Sequence, residues 1–164
     1  MTLPEQERER FCQVLHHSRT SLYRLAFSIT RNSSDAQEAV AEAVCRAYER
    51  YPQLREKEKL PRWLLKITAN EARRLCQRRG RTVSLDDLPT EPAIPGRETG
   101  DDTLWQAVQT LPRDQREAVV LFYYEDLPTE EIARIVGTSP GAVRVRLSRA
   151  REKLRSILKE GDHG

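Results

Sequence analysis

Between residues 11 and 29 apolar side chains return every three or four positions: Phe11, Leu15, Leu22, Leu25, Ala26 and Ile29. That spacing puts them on one face of a helix. The polar run "RNSS" breaks the pattern, and Ser34 with Gln37 three residues later predicts a capping box that starts a second helix. This helix carries Ala36, Ala39, Val40, Ala43, Val44 and Ala47 on one side and Asp35, Glu38, Glu42 and Glu49 on the opposite one. It should stop at Tyr51-Pro52, because proline disfavours helix in the residue before it. A charged loop, "QLREKEK", leads to a third helix near Leu60, with Pro61 in the first turn and Gly80 suited to the C-terminal cap.

The next stretch has no sustained periodicity. "TVSLDDLPTEPAIPGRETGDDT" contains three prolines and two glycines, a composition that reads as a flexible connector. Apolar spacing resumes with Leu104, Val108 and Leu111, and a further helix is expected from about Pro112 to Glu125. Two more helices follow, with Thr129 and Ser139 as their expected caps, and Pro140 takes the first helical position after Ser139. No strand pattern and no internal repeat is visible. The prediction is an all-α protein of two small helical domains, residues 1–80 and 104–164, joined by a linker at 81–103.

Charge sharpens this division. The 164 residues carry a net charge of only +3, yet residues 1–81 hold 17 Lys/Arg against 10 Asp/Glu and residues 82–103 hold 1 against 6. Residues 104–164 hold 10 against 9, but 8 of those bases and 1 of those acids fall within 134–159. Two modules with basic segments thus flank an acidic linker, and basic modules of this size meet polyanions. No apolar run approaches the roughly 18 residues that span a bilayer, and no signal peptide is visible at the start, so a cytoplasmic protein is expected. Cys12, Cys45 and Cys76 form no CxxC pair, adjacent His16 and His17 point to different sides of a helix, and His163 sits in a polar tail, which points away from a metal centre or a disulfide framework. No carboxylate cluster, histidine pair or phosphate loop suggests an enzyme, and no cofactor is expected.

Projecting the last helix at about 100° per residue sorts its arginines. Val143, Leu147, Ala150, Leu154, Ile157 and Leu158 share the side to be buried. Arg144, Arg151 and Arg155 line one exposed flank and Arg146 and Arg149 the other, with Val145 and Ser148 between them. Such a helix suits a DNA groove, its arginines on phosphates and its centre near base edges; a plain solubilising face is the alternative. Ala133, Gly137 and Val143 stand at the spacing of a helix-turn-helix. In the third helix Arg62, Lys66, Asn70, Arg73 and Gln77 form one polar stripe with Trp63 and Arg74 at its margin, while Leu60, Leu64, Leu65, Ala72 and Leu75 face away. A basic stripe with an amide and an indole can hold phosphates, hydrogen-bond a base and stack on another; Trp63 fits a core position equally well. Glu71 falls within the apolar arc, where only a neighbouring arginine could compensate it. The acidic stripe of the second helix suits a basic protein surface, or is simply solvated.

With these residues in view, the chain resembles the sigma-70 family of bacterial transcription initiation factors, in its extracytoplasmic-function (ECF) group. "LYRLAFSITRNSSDAQEAVAEAVCRAY" is similar to region 2.1 to 2.2, "LPRWLLKITANEARRLCQRRGR" to regions 2.3 and 2.4, and "LPRDQREAVVLFYYEDLPTEEIARIVGTSPGAVRVRLSRAREKL" to region 4. The match spans about residues 11–158. The resemblance implies that residues 1–80 are region 2, which binds core polymerase and the -10 element, and that 104–164 are the region 4 helix-turn-helix, which binds the -35 element. It places Asp35, Glu38 and Glu42 at the beta-prime clamp helices. It assigns -10 contacts and capture of a flipped base to the 53–59 loop, Lys59, Arg62, Trp63, Lys66, Asn70, Arg73, Arg74 and Gln77. It assigns -35 recognition to Ser139, Pro140, Gly141, Ala142, Arg144, Val145, Arg146, Ser148 and Arg149, with another surface of region 4 meeting the beta flap.

The implied partners are core RNA polymerase, promoter DNA and an anti-sigma factor, often membrane-bound in the family, which would hold the chain at the inner face of the membrane until a stress signal releases it. Gln37 and Ala41 depart from the family's usual acid and glutamine, Ala142 from a threonine, and Arg73 and Arg74 from an apolar residue and an aspartate. The rival reading is a conventional helix-turn-helix regulator acting without sigma activity, which leaves the tryptophan-edged stripe unexplained.

Overall fold

In the computed structural model, which describes residues 3–79 and 102–162, every long element is α-helical, as the helical periodicity of the sequence requires. The helices are α1 (Glu5–Thr30), α2 (Ser33–Arg50), α3 (Leu60–Arg79), α4 (Asp102–Gln109), α5 (Arg113–Val119), α6 (Thr129–Val136) and α7 (Pro140–Asp162). No strand occurs among the described residues, in keeping with the all-α expectation. The chain divides into two compact units, one holding α1–α3 and the other α4–α7. Most of the predicted linker, 81–101, and the predicted cap Gly80 lie outside the described residues.

In the first unit the three helices pack pairwise. Leu22, Leu25, Ala26, Phe27 and Ile29 of α1 meet Ala36, Ala39, Ala43 and Ala47 of α2 and Leu60, Leu64, Leu65, Ala72 and Leu75 of α3 in one core. The alanine stripe matters because small side chains let α2 lie close to its neighbours, and close packing supplies dispersion contacts that a looser fit would forfeit. At one end of the bundle Phe11 packs edge-on against Tyr48 and Tyr51, each at a ring-centroid distance of 5.4 Å.

One capping expectation is corrected here. Asn32, not Ser34, starts α2: its backbone is extended and its side-chain oxygen accepts the Asp35 N–H at 2.9 Å. Ser33 and Ser34 already belong to the first turn, so the S-x-x-Q spacing falls inside the helix and not at its boundary.

The second unit is built around α7, whose Val143, Leu147 and Ala150 are buried against α5, α6 and α4. Leu104, expected in this core, is exposed at 37%. Trp105 takes the inward place, edge-on to Tyr124 at 5.4 Å. The helix expected from 112 to 125 is α-helical only to Val119 and continues as a π-helical turn, Val120–Tyr124, in which the Glu125 N–H reaches back to the Val120 carbonyl at 3.2 Å. Thr129 does not cap α6. The carbonyl of Pro128 accepts the N–H groups of both Glu131 and Ile132 at 3.0 Å, which leaves Thr129 within the first turn.

Candidate nucleic-acid and protein interfaces

The turn between α6 and α7 sets the direction of the recognition candidate. Gly137 ends α6 with φ 76°, and the Ala133 carbonyl accepts both the Gly137 N–H at 2.9 Å and the Thr138 N–H at 3.0 Å. A Cβ at Gly137 would touch nothing within 4 Å, so the glycine is required by its backbone conformation and not by space. Ser139 then caps α7 as expected, its hydroxyl accepting the Ala142 N–H at 3.1 Å. With Ala133 and Val143 both buried, the helix-turn-helix spacing read from the sequence is realised in three dimensions.

On α7, Arg144, Val145, Ser148 and Arg149 are exposed side by side, and Pro140, Gly141 and Ala142 are half-buried at its N-terminus. Val145, at 48% exposure, is one of few large apolar side chains turned outward. Two arginines of this helix have intramolecular partners. Arg146 is only 26% exposed and its Nε stands 3.7 Å from a carboxylate oxygen of Asp114 in α5. Arg151 donates from Nε to the Tyr123 hydroxyl at 2.6 Å and lies over the Phe122 and Tyr123 rings, so the π-helical turn has the local effect of presenting an aromatic seat for it. Around Val145 and Ser148 the exposed cations are therefore Arg144 and Arg149, while Arg146 is turned toward an acid. The sequence could not announce Asp114 or Tyr123, which lie 32 and 28 positions from their partners.

The predicted stripe on α3 is also realised. Arg62, Lys66, Asn70 and Gln77 are exposed, Arg73 and Trp63 are half-buried, and Arg74 borders them. Lys59, at the end of the preceding loop, is exposed and bonded to Glu56 at 2.6 Å. Trp63 thus stands between the two roles open to it, partly packed and partly presented. Glu71 is 6% exposed, and its compensation is now clear: one carboxylate oxygen faces Arg46 Nε of α2 at 3.0 Å and Arg74 of α3 at 3.3 Å.

The acidic face of α2 is less open than its sequence suggests. Asp35 is paired with Arg79, Glu38 lies 3.4 Å from Arg79 and 4.0 Å from Arg78, and Glu42 lies 3.4 Å from Arg46. These side chains are half-exposed apart from Asp35, and pairs of that kind contribute little to stability in water. They can be exchanged for pairs with a basic partner at small cost. The faces on α2 and α3 belong to the first unit and the face on α7 to the second. Among the described residues no cluster of His, Cys, Asp and Glu could hold a metal, and no helix is long and apolar enough to cross a membrane.

Comparison with known proteins gives these faces a common context. The Sigma-70 region 2 family model matches residues 14–82 and the Sigma-70, region 4 model matches residues 101–154. The chain is 32% identical to the RNA polymerase sigma factor SigV of Bacillus subtilis over 85% of its own length and 86% of that protein's. It is likewise 32% identical to the ECF RNA polymerase sigma factor EcfG of Rhodopseudomonas palustris, over 84% of this chain and 79% of the relative. Among solved structures, that of the sigma factor RpoE from Bartonella quintana, in complex with the anti-sigma factor NepR, superposes with a TM-score of 0.76 at 28% identity, covering 91% of this chain and 96% of that one. Both family models in chain order, with relatives of matching length, show that this chain belongs to the sigma-70 family, in its extracytoplasmic-function group.

Proposed function

We propose that the chain is a non-enzymatic specificity subunit that recruits core RNA polymerase to a small promoter set, and that the three faces divide this work. The observation that carries the reading is that one chain holds both a basic, tryptophan-edged stripe on α3 and a helix-turn-helix with an open arginine edge on α7. In this reading α7 enters the major groove of the -35 element. Arg144 and Arg149 contact phosphates, Arg146 reaches a base edge, and Val145 and Ser148 meet the floor of the groove.

The α3 stripe, with Lys59, Arg62, Trp63, Lys66, Asn70, Arg73, Arg74 and Gln77, holds the unpaired -10 strand. Stacking and phosphate contacts offset the few kcal/mol that unstacking a base costs. Asp35, Glu38 and Glu42 of α2 receive a basic surface of the polymerase, the beta-prime clamp helices, exchanging their internal arginine partners for external ones, while another surface of the second unit meets the beta flap.

An anti-sigma factor covers these faces until a signal releases the protein. Support comes from the Bartonella quintana relative, which was solved with such a partner. The protein then works in the cytoplasm, or waits at the inner face of the membrane when its inhibitor is anchored there.

Run-off transcription from a genomic fragment library, using core bacterial polymerase with and without the purified chain, tests the proposal. Discrete new start sites that share upstream elements are expected. Tight binding to duplex DNA without any polymerase-dependent initiation would instead establish a conventional helix-turn-helix regulator.

A further inference from the structure

Residues 53–59 read as a solvated charged loop in sequence, but one of their charges points inward. Lys57 is half-buried. Its Nζ donates to the Tyr51 carbonyl at 2.6 Å and sits 4.0 Å from the centroid of the Tyr51 ring. The same carbonyl accepts the Leu54 N–H at 3.0 Å, and the Lys59 N–H closes a second turn on Glu56 at 3.0 Å. Tyr51 is itself fixed: it is fully buried, its hydroxyl donates to Glu7 of α1 at 2.8 Å, and its ring packs on Phe11. Lys57 therefore fastens the middle of the loop to the aromatic end of the helical bundle, while Arg55, Glu56, Glu58 and Lys59 remain on the outside.

We infer that Lys57 is a positioning residue for base capture: it holds the 53–59 loop in its receiving shape and does not itself contact DNA. The inference rests on the sigma-factor reading above and goes beyond it by assigning one lysine an inward role. Its physical basis is entropic. Ordering a free backbone residue costs about 1–2 kcal/mol, so a loop that had to be fixed at the moment of capture would lose much of the stacking energy it gains. Two 3-10 turns and an ammonium group held by both a carbonyl and a ring meet that cost during folding instead.

The test compares Lys57→Met, which keeps the length and apolar stem, with Lys57→Arg, which keeps the cation and its N–H groups. Amide exchange at Leu54 in the free protein reads loop order without polymerase. Core-polymerase affinity and the rate of promoter opening, followed by permanganate reactivity of -10 thymines, read function. Lys57→Met should raise Leu54 exchange and slow opening about tenfold, the loss of one charge-assisted hydrogen bond, with core affinity unchanged. Lys57→Arg should be close to the unaltered chain in both readouts. Unchanged exchange, unchanged opening, or lost core affinity would each overturn the inference. Failure of the unaltered chain to open any promoter would overturn the sigma-factor reading and this inference with it.

Discussion

Arg46 of α2 and Glu71 of α3 meet at 3.0 Å, with Glu71 only 6% exposed, and this pair turns an anomaly of the apolar arc into a clamp between helices. A buried carboxylate persists only with compensation, and removing one member of such a pair strands the other. Arg46→Met, which leaves the buried Glu71 carboxylate with only the half-exposed Arg74, should cost about 3 kcal/mol. Faster amide exchange in α2 and α3, with α5–α7 unaffected, is the expected readout. Replacing both partners by Met and Leu should recover most of the loss.

The arginine edge of α7 makes a prediction about salt. Arg149→Ala should weaken binding to -35 duplexes and reduce the slope of log affinity against log salt by about one, the signature of a lost phosphate contact. Asp114→Asn should act in the opposite sense on non-specific DNA, tightening it a few-fold by releasing Arg146 from its acid, while discrimination between -35 sequences falls. Fluorescence anisotropy with matched and scrambled duplexes measures both.

Docking through α2 can be separated from DNA recognition. Charge reversal of Glu38 and Glu42 together should lower affinity for core polymerase at least about tenfold, since like-charge juxtaposition at an interface costs several kcal/mol. Binding of -35 duplex by the same variant should be unchanged. Arg79→Ala, which removes an internal competitor for Asp35 and Glu38, should leave polymerase affinity equal or up to about twofold tighter, the scale of an exposed pair.

Tyr51 gives a pH dependence. Burial first, and then its hydrogen bond to the Glu7 carboxylate, raise its phenol above the ordinary value of 10.0. A raised value means that the unfolded chain loses this proton at lower pH than the folded one. The contribution to stability is complete below about pH 10 and declines as pH rises toward the folded value. Tyr51→Phe should therefore be less stable near neutrality by about 1 kcal/mol, and the difference should shrink above pH 10. Urea unfolding at pH 7.5 and at several alkaline values would show it.

Much of this arrangement is legible in the amino-acid sequence. The helical period found the main buried side of α1, α2 and α3, though not Phe27, Ile67 or Thr68, together with the stripe on α3 and the turn at Gly137, because periodicity and backbone demands are local properties. What escaped were features set by partners far along the chain. Nothing near Lys57 says that it turns inward, and nothing near Arg146 marks Asp114. Leu104 and Trp105 are adjacent, so only the packing of α4 decides which is buried. The Ser34 capping box failed against a nearer rival, since Asn32 in an extended conformation reaches the Asp35 amide first.

The length of α7 has a consequence for descent. Its 23 residues run for about 35 Å, and one unbroken rod supplies both the buried Val143, Leu147 and Ala150 and the outward Arg144, Val145, Ser148 and Arg149. The two sets interleave but share no position. If α7 reads the -35 element as proposed, a duplicated copy could exchange its outward residues and answer to a different promoter while inheriting an unaltered folding problem, so that new regulatory circuits arise without passing through unstable intermediates.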